Sequence, residues 1–364
     1  TRDGSRWRDD RTVAAETQEP GTSMPGSSVG STIMTNVCIS FAGSSGLGGF
    51  PAFPQIKAQQ LQEEFPTTRV TLTENAEQRR AALADADIVF AVRFSPDDFK
   101  TAKRLKWLQL SSAGATHVLF PEMVESNVIV TNSRGLYGVP IAEHVIGMMI
   151  ILARNLHEAY RFQLEGKWPR EEMFARSPQF LELHGSTAGV IGLGDIGLAV
   201  AERAKALGMR VLASKRHVGA KPACVDELLG TEGLSYLLRE SDFVIIAAPL
   251  TPDTQGLIGE TALRTMKPSA YLFNVGRGAI VQEAVLIRAL QEGWIAGAGL
   301  DVTEVEPLPA NSPLFHLSNV IITPHYSGLR PKYWDHAVEI FRANLAKFLR
   351  GEPLDKVVDK RSGY

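Results

Sequence analysis

Along most of this chain, short apolar runs alternate with stretches in which apolar positions recur every three or four residues. The first pattern predicts strands and the second amphipathic helices. From Asn36, strands are expected at Val37–Phe41, Arg69–Leu72, Ile88–Val92, Trp107–Leu110 and Val128–Val130, with helical stretches such as Ile56–Phe65 between them. This alternation predicts a small parallel α/β unit. A long helix is expected from about Pro140 to Leu164, followed by strands near Gly189, Val211, Phe243, Tyr271, Ala298 and Val320. A last helix, about Tyr333 to Arg350, is long enough to return to the first unit.

One turn in the second unit carries chemistry. In Gly189-Val190-Ile191-Gly192-Leu193-Gly194-Asp195-Ile196-Gly197 an apolar strand stops at a glycine and an amphipathic segment, Leu198–Leu207, follows. This is the strand, turn, helix setting of a dinucleotide-binding site. Gly192 allows the tight turn, Gly194 lets the backbone approach a pyrophosphate, and Gly197 lets the helix pack on the sheet. Free amides at the helix start, around Asp195 and Ile196, face the anion. The expected fold class is therefore α/β: a Rossmann doubly wound parallel sheet plus a smaller, discontinuous flavodoxin-like α/β substrate domain. Residues 36–138 and 330–364 are assigned to the substrate domain, 139–329 to the dinucleotide domain and 1–35 to a disordered extension.

Composition narrows the class further. With 364 residues, 44% of them hydrophobic, the chain can bury two cores. A net charge of -2 with mixed signs gives no electrostatic case for nucleic acid. Cys38 and Cys224 lie far apart without metal-ligand spacing, which points to a reducing, cytoplasmic compartment and to no metal site. No run reaches the roughly 18 apolar residues of a membrane helix, and Val145–Ala153, bounded by His144 and Arg154, reads as a buried helix. The first 35 residues combine a charged stretch, Thr1–Asp10, with a Gly/Ser/Thr-rich one, Thr22–Thr35, and Met34 stands just before the first strand.

Beyond the turn, Arg277, His325 and a glutamate each lie just past an apolar run. Reduction of a 2-keto acid needs a cation for the carboxylate, a proton donor for the carbonyl oxygen and a positioned hydride source. Arg277, after Tyr271–Phe273, offers a fork of donors suited to a carboxylate. His325, which ends Val320–Thr323 through Pro324, is the natural acid and base. Its carboxylate partner is Glu304 or Glu306, and spacing alone leaves both open.

Several stretches together resemble the D-isomer-specific 2-hydroxyacid dehydrogenase family: Gly189–Gly197, Ser241–Thr254, Asn274–Ile280, Ala296–Pro307, Thr323–Gly328, Ala142-Glu143-His144 and the closing Gly363-Tyr364. The resemblance covers nearly everything from Val37 onward. It implies that Arg277 binds the substrate, that Glu306, which precedes the proline, orients the histidine, and that His325 is the acid/base. It also implies that the amides of Ala113 and Gly114 hold the substrate carboxylate and that Pro249 and Thr254 lie beside the adenosine and phosphates. Val275, Gly276, Arg277, His325 and Gly328 would stand near the nicotinamide, with Asp301 holding its amide. A D-2-hydroxy acid product and a homodimer built on the apolar helix Pro140–Leu164 are further implications.

One departure bears on the cofactor. The second strand of the dinucleotide unit ends in Ser214-Lys215-Arg216-His217, with no carboxylate before Asp226. An acid there would bind the ribose hydroxyls of NAD, whereas a lysine and an arginine attract a 2′-phosphate. NADP(H) is therefore the expected cofactor, with NAD(H) a possible second. Two rival readings use the same residues: a dinucleotide-sensing corepressor-like scaffold and a phosphite dehydrogenase-like enzyme. Arg93, Phe94, Tyr137, Tyr326 and Trp334 are candidates to line the cleft, and the sequence does not specify which 2-keto acid enters it.

Overall fold

The apolar runs pair as two parallel sheets. A computed structural model describes residues 34–41, 52–176 and 180–363. Of the extension expected at 1–35, all but Met34 and Thr35 lies outside the described residues, and Thr35 already belongs to a strand. Tyr364 is outside them too.

In the first half, β1 (Thr35–Ser40), β2 (Thr68–Thr73), β3 (Ile88–Ala91), β4 (Trp107–Leu110) and β5 (Ile129–Thr131) form a five-stranded sheet ordered β2-β1-β3-β4-β5. The connections carry α1 (Gln55–Glu64), α2 (Ala76–Asp85), α3 (Pro96–Thr101) and α4 (Pro121–Glu125). Next come α5 (Gly138–Ala153), α6 (Leu156–Leu164) and α7 (Arg170–Ala175). The second sheet contains β6 (Thr187–Ile191), β7 (Arg210–Ser214), β8 (Glu227–Leu229), β9 (Phe243–Ile246), β10 (Tyr271–Asn274), β11 (Gly297–Leu300) and β12 (Val320–Ile322). Its helices are α8 (Asp195–Ala206), α9 (Leu234–Glu240), α10 (Glu260–Thr265) and α11 (Glu283–Gln291), and α12 (Tyr333–Arg350) leaves it.

The seven strands run in the order β12-β11-β10-β9-β6-β7-β8, so the order reverses beside β6. The carboxyl ends of β6 and β9 therefore flank the crevice in which open α/β sheets bind ligands. Helices cover both faces of each sheet, as parallel sheets require. Val145, Met148 and Met149 of α5 and Val200 of α8 pack on one face of the large sheet. Leu237, Leu263 and Leu286 cover the other. Leu61 of α1 and Phe341 and Leu345 of α12 cover one face of the small sheet, and Leu83 and Met123 the other. The chain thus returns to the small sheet through α12, after which Val358 N–H donates to the Val130 carbonyl at 2.8 Å.

Three differences from the sequence pattern have physical causes. The single helix expected from Pro140 to Leu164 is instead α5 and α6, bent by 73° at the break. Asn155 adopts φ 52, the left-handed conformation that asparagine tolerates and that stops a helix. Helix α8 starts at Asp195 rather than Leu198, because Gly197 already packs inside its first turn. The short β8 opens on a charged Glu227, so no apolar run announced it. Among the described residues no single helix is long and apolar enough to cross a membrane, and Val145, Met149 and Leu152 of α5 are core residues.

Phe341 is fully buried and stacks on Phe90 at 4.6 Å and Trp107 at 5.3 Å between ring centroids. Phe341→Ala should cost about 3–5 kcal/mol, the usual loss for a phenylalanine cavity. Denaturant unfolding checks this, and a loss below about 1 kcal/mol would show that α12 does not anchor on the small sheet as described.

Candidate active site

The glycine turn has the geometry its sequence requires. Gly192 sits at φ 94, and a Cβ there would meet the Ala248 N and Cα at 2.6 Å. At Gly197 a Cβ would come within 2.1 Å of the Gly192 carbonyl oxygen, so only glycine lets α8 pack so close. Around Gly194, by contrast, a Cβ would meet nothing within 4 Å. Open space therefore stands beside the first amides of α8, at Asp195 and Ile196, where helix geometry leaves N–H groups for an anion.

The end of β7 lies next to this turn, with Gly192 N–H donating to the Ser214 carbonyl at 3.0 Å. Lys215, Arg216 and His217 follow in exposed positions. Asp226 does not approach that end, because its carboxylate accepts from Val211 N–H at 2.8 Å and from Lys205 Nζ at 2.7 Å. Across the crevice, Thr254 Oγ1 donates to the Pro249 carbonyl at 2.7 Å and folds the loop after β9 into a compact turn.

Arg277, Asp301 and His325 come just after β10, β11 and β12, so parallel pairing brings all three to one sheet edge. Val275 is buried, and Gly276 passes so close to the Ala248 carbonyl that a Cβ would lie 2.7 Å from it. Arg277 Nη1 donates to the Gly276 carbonyl at 2.8 Å, and Asn274 Nδ2 to the Arg277 carbonyl at 3.0 Å. The guanidinium then crosses to the other half of the molecule. A Cβ on Gly114 would be 2.4 Å from Arg277 Nη2. Burial pulls the Arg277 pKa down, and the nearby Glu306 acts against that shift; the group stays charged near neutrality.

Gly114 belongs to a braced loop. Asn132 Nδ2 donates to the Ala113 carbonyl at 2.7 Å and Ser112 Oγ to the Gly114 carbonyl at 2.9 Å. The Ser111 carbonyl accepts from both the Tyr137 and Tyr333 hydroxyls, at 2.9 and 2.7 Å. Carbonyl oxygens are thus engaged, while the glycine lets the Arg277 guanidinium lie against the loop.

His325 adopts φ 51, and its Nδ1 lies 2.7 Å from Glu306 Oε2. Glu306 Oε1 accepts from Thr303 N–H at 3.2 Å. With Nδ1 donating to the carboxylate, Nε2 is the ring atom available to a ligand. The carboxylate on His325 is thus Glu306, not Glu304. Asp301 is buried beneath the same loop: it accepts from Thr323 Oγ1 at 2.6 Å, Tyr326 N–H at 3.1 Å and Ser327 N–H at 3.2 Å, and from the Ser327 hydroxyl. His144 Nε2 pairs with Thr323 Oγ1 at 3.0 Å, and burial holds its pKa below the usual imidazole value. Gly328 packs on the Tyr137 ring, with 2.8 Å from a Cβ to Cδ1.

Sequence reasoning did not single out Asn132, His117 or the Tyr137–Tyr333 pair as a brace. His117 Nε2 contacts the Val92 carbonyl at 2.8 Å, and burial, then the charges of Arg93 and Arg277, lower its pKa. These contacts join residues far apart in sequence, and no local pattern signals them.

Residues 146–327 match the D-isomer specific 2-hydroxyacid dehydrogenase, NAD binding domain. A glyoxylate reductase of Pyrococcus furiosus is 36% identical over 319 residues, 85% of this chain and 94% of that protein. This chain belongs to the D-isomer specific 2-hydroxyacid dehydrogenase family. It is also 40% identical over 271 residues to a glyoxylate reductase of Thermococcus gammatolerans, covering 74% of this chain and 80% of that one. A solved D-isomer specific 2-hydroxyacid dehydrogenase from Xanthobacter autotrophicus Py2, in complex with NADPH and MES, superposes with a TM-score of 0.76 at 28% identity, over 91% of this chain and 100% of that one. A family protein from Aeromonas salmonicida gives a TM-score of 0.75 at 30% identity, over 90% and 99%. As a 2-hydroxyacid dehydrogenase, the chain is an oxidoreductase that couples an NAD(P) dinucleotide to a 2-keto and 2-hydroxy acid pair.

The close approach of Gly114 to Arg277 generates a test. Gly114→Ala must displace the end of the Arg277 side chain while leaving the core intact. KM for the keto acid should rise about tenfold or more, since misplacement of about 1 Å can cost ~100-fold, with the unfolding midpoint nearly unchanged. An unaltered KM would mean that this loop and Arg277 do not bind substrate together.

Proposed function

We propose that this protein is an NADPH-preferring reductase of 2-keto acids, glyoxylate among them, that forms D-2-hydroxy acids. The observation that carries the reading is the meeting of a half-buried Arg277 guanidinium with the Gly114 loop beside a paired Glu306–His325. The glyoxylate reductases at 36% and 40% identity support the substrate class. Lys215 and Arg216 at the end of β7, with Asp226 engaged elsewhere, support NADPH over NADH. So does the NADPH complex of the Xanthobacter relative.

The open space at Gly194 and the amides of Asp195 and Ile196 suit a pyrophosphate, with Pro249 and Thr254 on the adenosine side. Ser214, Lys215 and Arg216 would hold the 2′-phosphate, and Val275, Gly276 and Gly328 the nicotinamide end. Bound there, the dinucleotide supplies the hydride. The chain's own residues do the rest. Arg277 and the amides of Ala113 and Gly114 grip the substrate carboxylate and fix the carbonyl. His325 Nε2 delivers a proton to the carbonyl oxygen, and Glu306 orients the ring and stabilises the imidazolium through a charge-assisted bond. Asp301 ties down the loop that carries His325, at the nicotinamide end of the site.

In this reading, 36–138 and 330–364 form the substrate domain and 139–329 the dinucleotide domain, with closure excluding water from the cleft. Exposed Ile150, Leu156, Tyr160, Leu164 and Trp168 on and after α5 and α6 support a homodimer. The free thiols Cys38 and Cys224 suit a cytoplasmic setting.

The test is NADPH consumption with glyoxylate, hydroxypyruvate and pyruvate. Wild type should turn over at least one of them, and His325→Ala should lose about 10²–10⁴ in kcat. Replacing Lys215 and Arg216 together by alanine should lower the NADPH to NADH preference. No turnover by wild type on any of the three would sink the reading, and an unchanged cofactor ratio would remove the basic loop as the reader.

A further inference from the structure

The cleft that contains His325 and Ser112 extends outward over about 910 Å³. A two-carbon keto acid occupies only a few times the ~30 Å³ share of one liquid water. The cleft therefore has room for a much longer substrate against its outer wall. That wall is basic, with Arg79 and Arg80 from α2 and Arg93 after β3.

Charge accounting distinguishes these arginines. Arg79 is neutralised by Asp98 at 2.7 Å, and the same carboxylate accepts from Ser95 N–H at 2.8 Å. Asp97, whose side chain is 90% exposed, pairs outward with Lys100 at 3.1 Å. The two acids of the wall are thus already engaged. Among the described residues Arg93 and Arg80 form no ion pair with any carboxylate.

Arg93 also lines the same cleft as His325. His117 is anchored at 2.8 Å to the carbonyl of Val92, the residue before Arg93, and it feels the charges of both Arg93 and Arg277. A ligand that neutralises both carries two negative groups at its two ends.

We infer that Arg93, together with Arg80, forms a distal subsite for a second carboxylate, so that the preferred substrates are 2-keto dicarboxylic acids. The inference rests on the reading that Arg277 takes the carboxylate next to the keto group. A guanidinium gives the far carboxylate charge-assisted hydrogen bonds, which a neutral chain of equal length cannot form.

The matched pair 2-oxoglutarate and 2-oxopentanoate tests it, having the same chain length with and without the second carboxylate. Wild type should show the higher kcat/KM with 2-oxoglutarate. Arg93→Ala should reduce the ratio of the two about tenfold or more, and Arg93→Lys should restore part of it. A wild-type preference for 2-oxopentanoate, or a ratio unchanged in Arg93→Ala, overturns the subsite. Calorimetric titration of the NADP⁺-loaded protein with the same two acids separates this claim from the reductase reading. Tighter binding of 2-oxoglutarate that Arg93→Ala abolishes supports the subsite even where neither acid is reduced; equal binding refutes it.

Discussion

Partly burying the charge of Arg277 costs free energy that no ion pair among the described residues returns. Desolvation disfavours such a group, so the fold must hold it in place by other means. Asn274 fixes the backbone at Arg277, the Gly276 carbonyl accepts from its guanidinium, and Glu306 lies near enough to favour its charged form. In the proposed function the missing partner is the substrate's carboxylate. A 2-keto acid bound there would bring its carbonyl to His325, and its charge would complete the electrostatics of the cleft.

Topology explains why the required groups converge. In a parallel sheet every strand delivers its next residue to the same edge, so Gly192, Arg277, Asp301 and His325 meet although more than a hundred positions separate the first from the last. The first half of the molecule reaches that edge through its own parallel sheet and the loop after β4. Tyr137, just before α5, and Tyr333, at the start of α12, both donate to the Ser111 carbonyl. Both places where the chain crosses between the two sheets are thus tied to the loop that faces Arg277.

Much of this was legible in the sequence, for identifiable reasons. The glycine turn is readable because steric limits leave glycine alone at Gly192 and Gly197. Helix α12 was read to its residue limits because apolar spacing begins and ends sharply between Lys332 and Gly351, both left-handed in the structure. The bend at Asn155 escaped notice because one asparagine in an apolar-periodic stretch does not by itself end a helix. Spacing alone could not separate Glu304 from Glu306; resemblance pointed to Glu306, and the fold sets its carboxylate on the ring. Asp301 was read as a cofactor contact, yet most of its acceptor capacity serves the loop of His325, a role set by backbone geometry. His117 and Asn132 were missed because their partners lie on loops about twenty or more positions away in the sequence.

The claim that Arg277 is an anion clamp can be measured without catalysis. Calorimetric titration of the NADP⁺-loaded protein with oxalate, which has the paired oxygens of a 2-keto acid but accepts no hydride, reads the clamp directly. The account predicts one site per chain and a loss of about thirtyfold or more in affinity for Arg277→Met, the scale expected when one partner of a buried charge pair is truncated. Equal oxalate affinity in a folded Arg277→Met variant would contradict it.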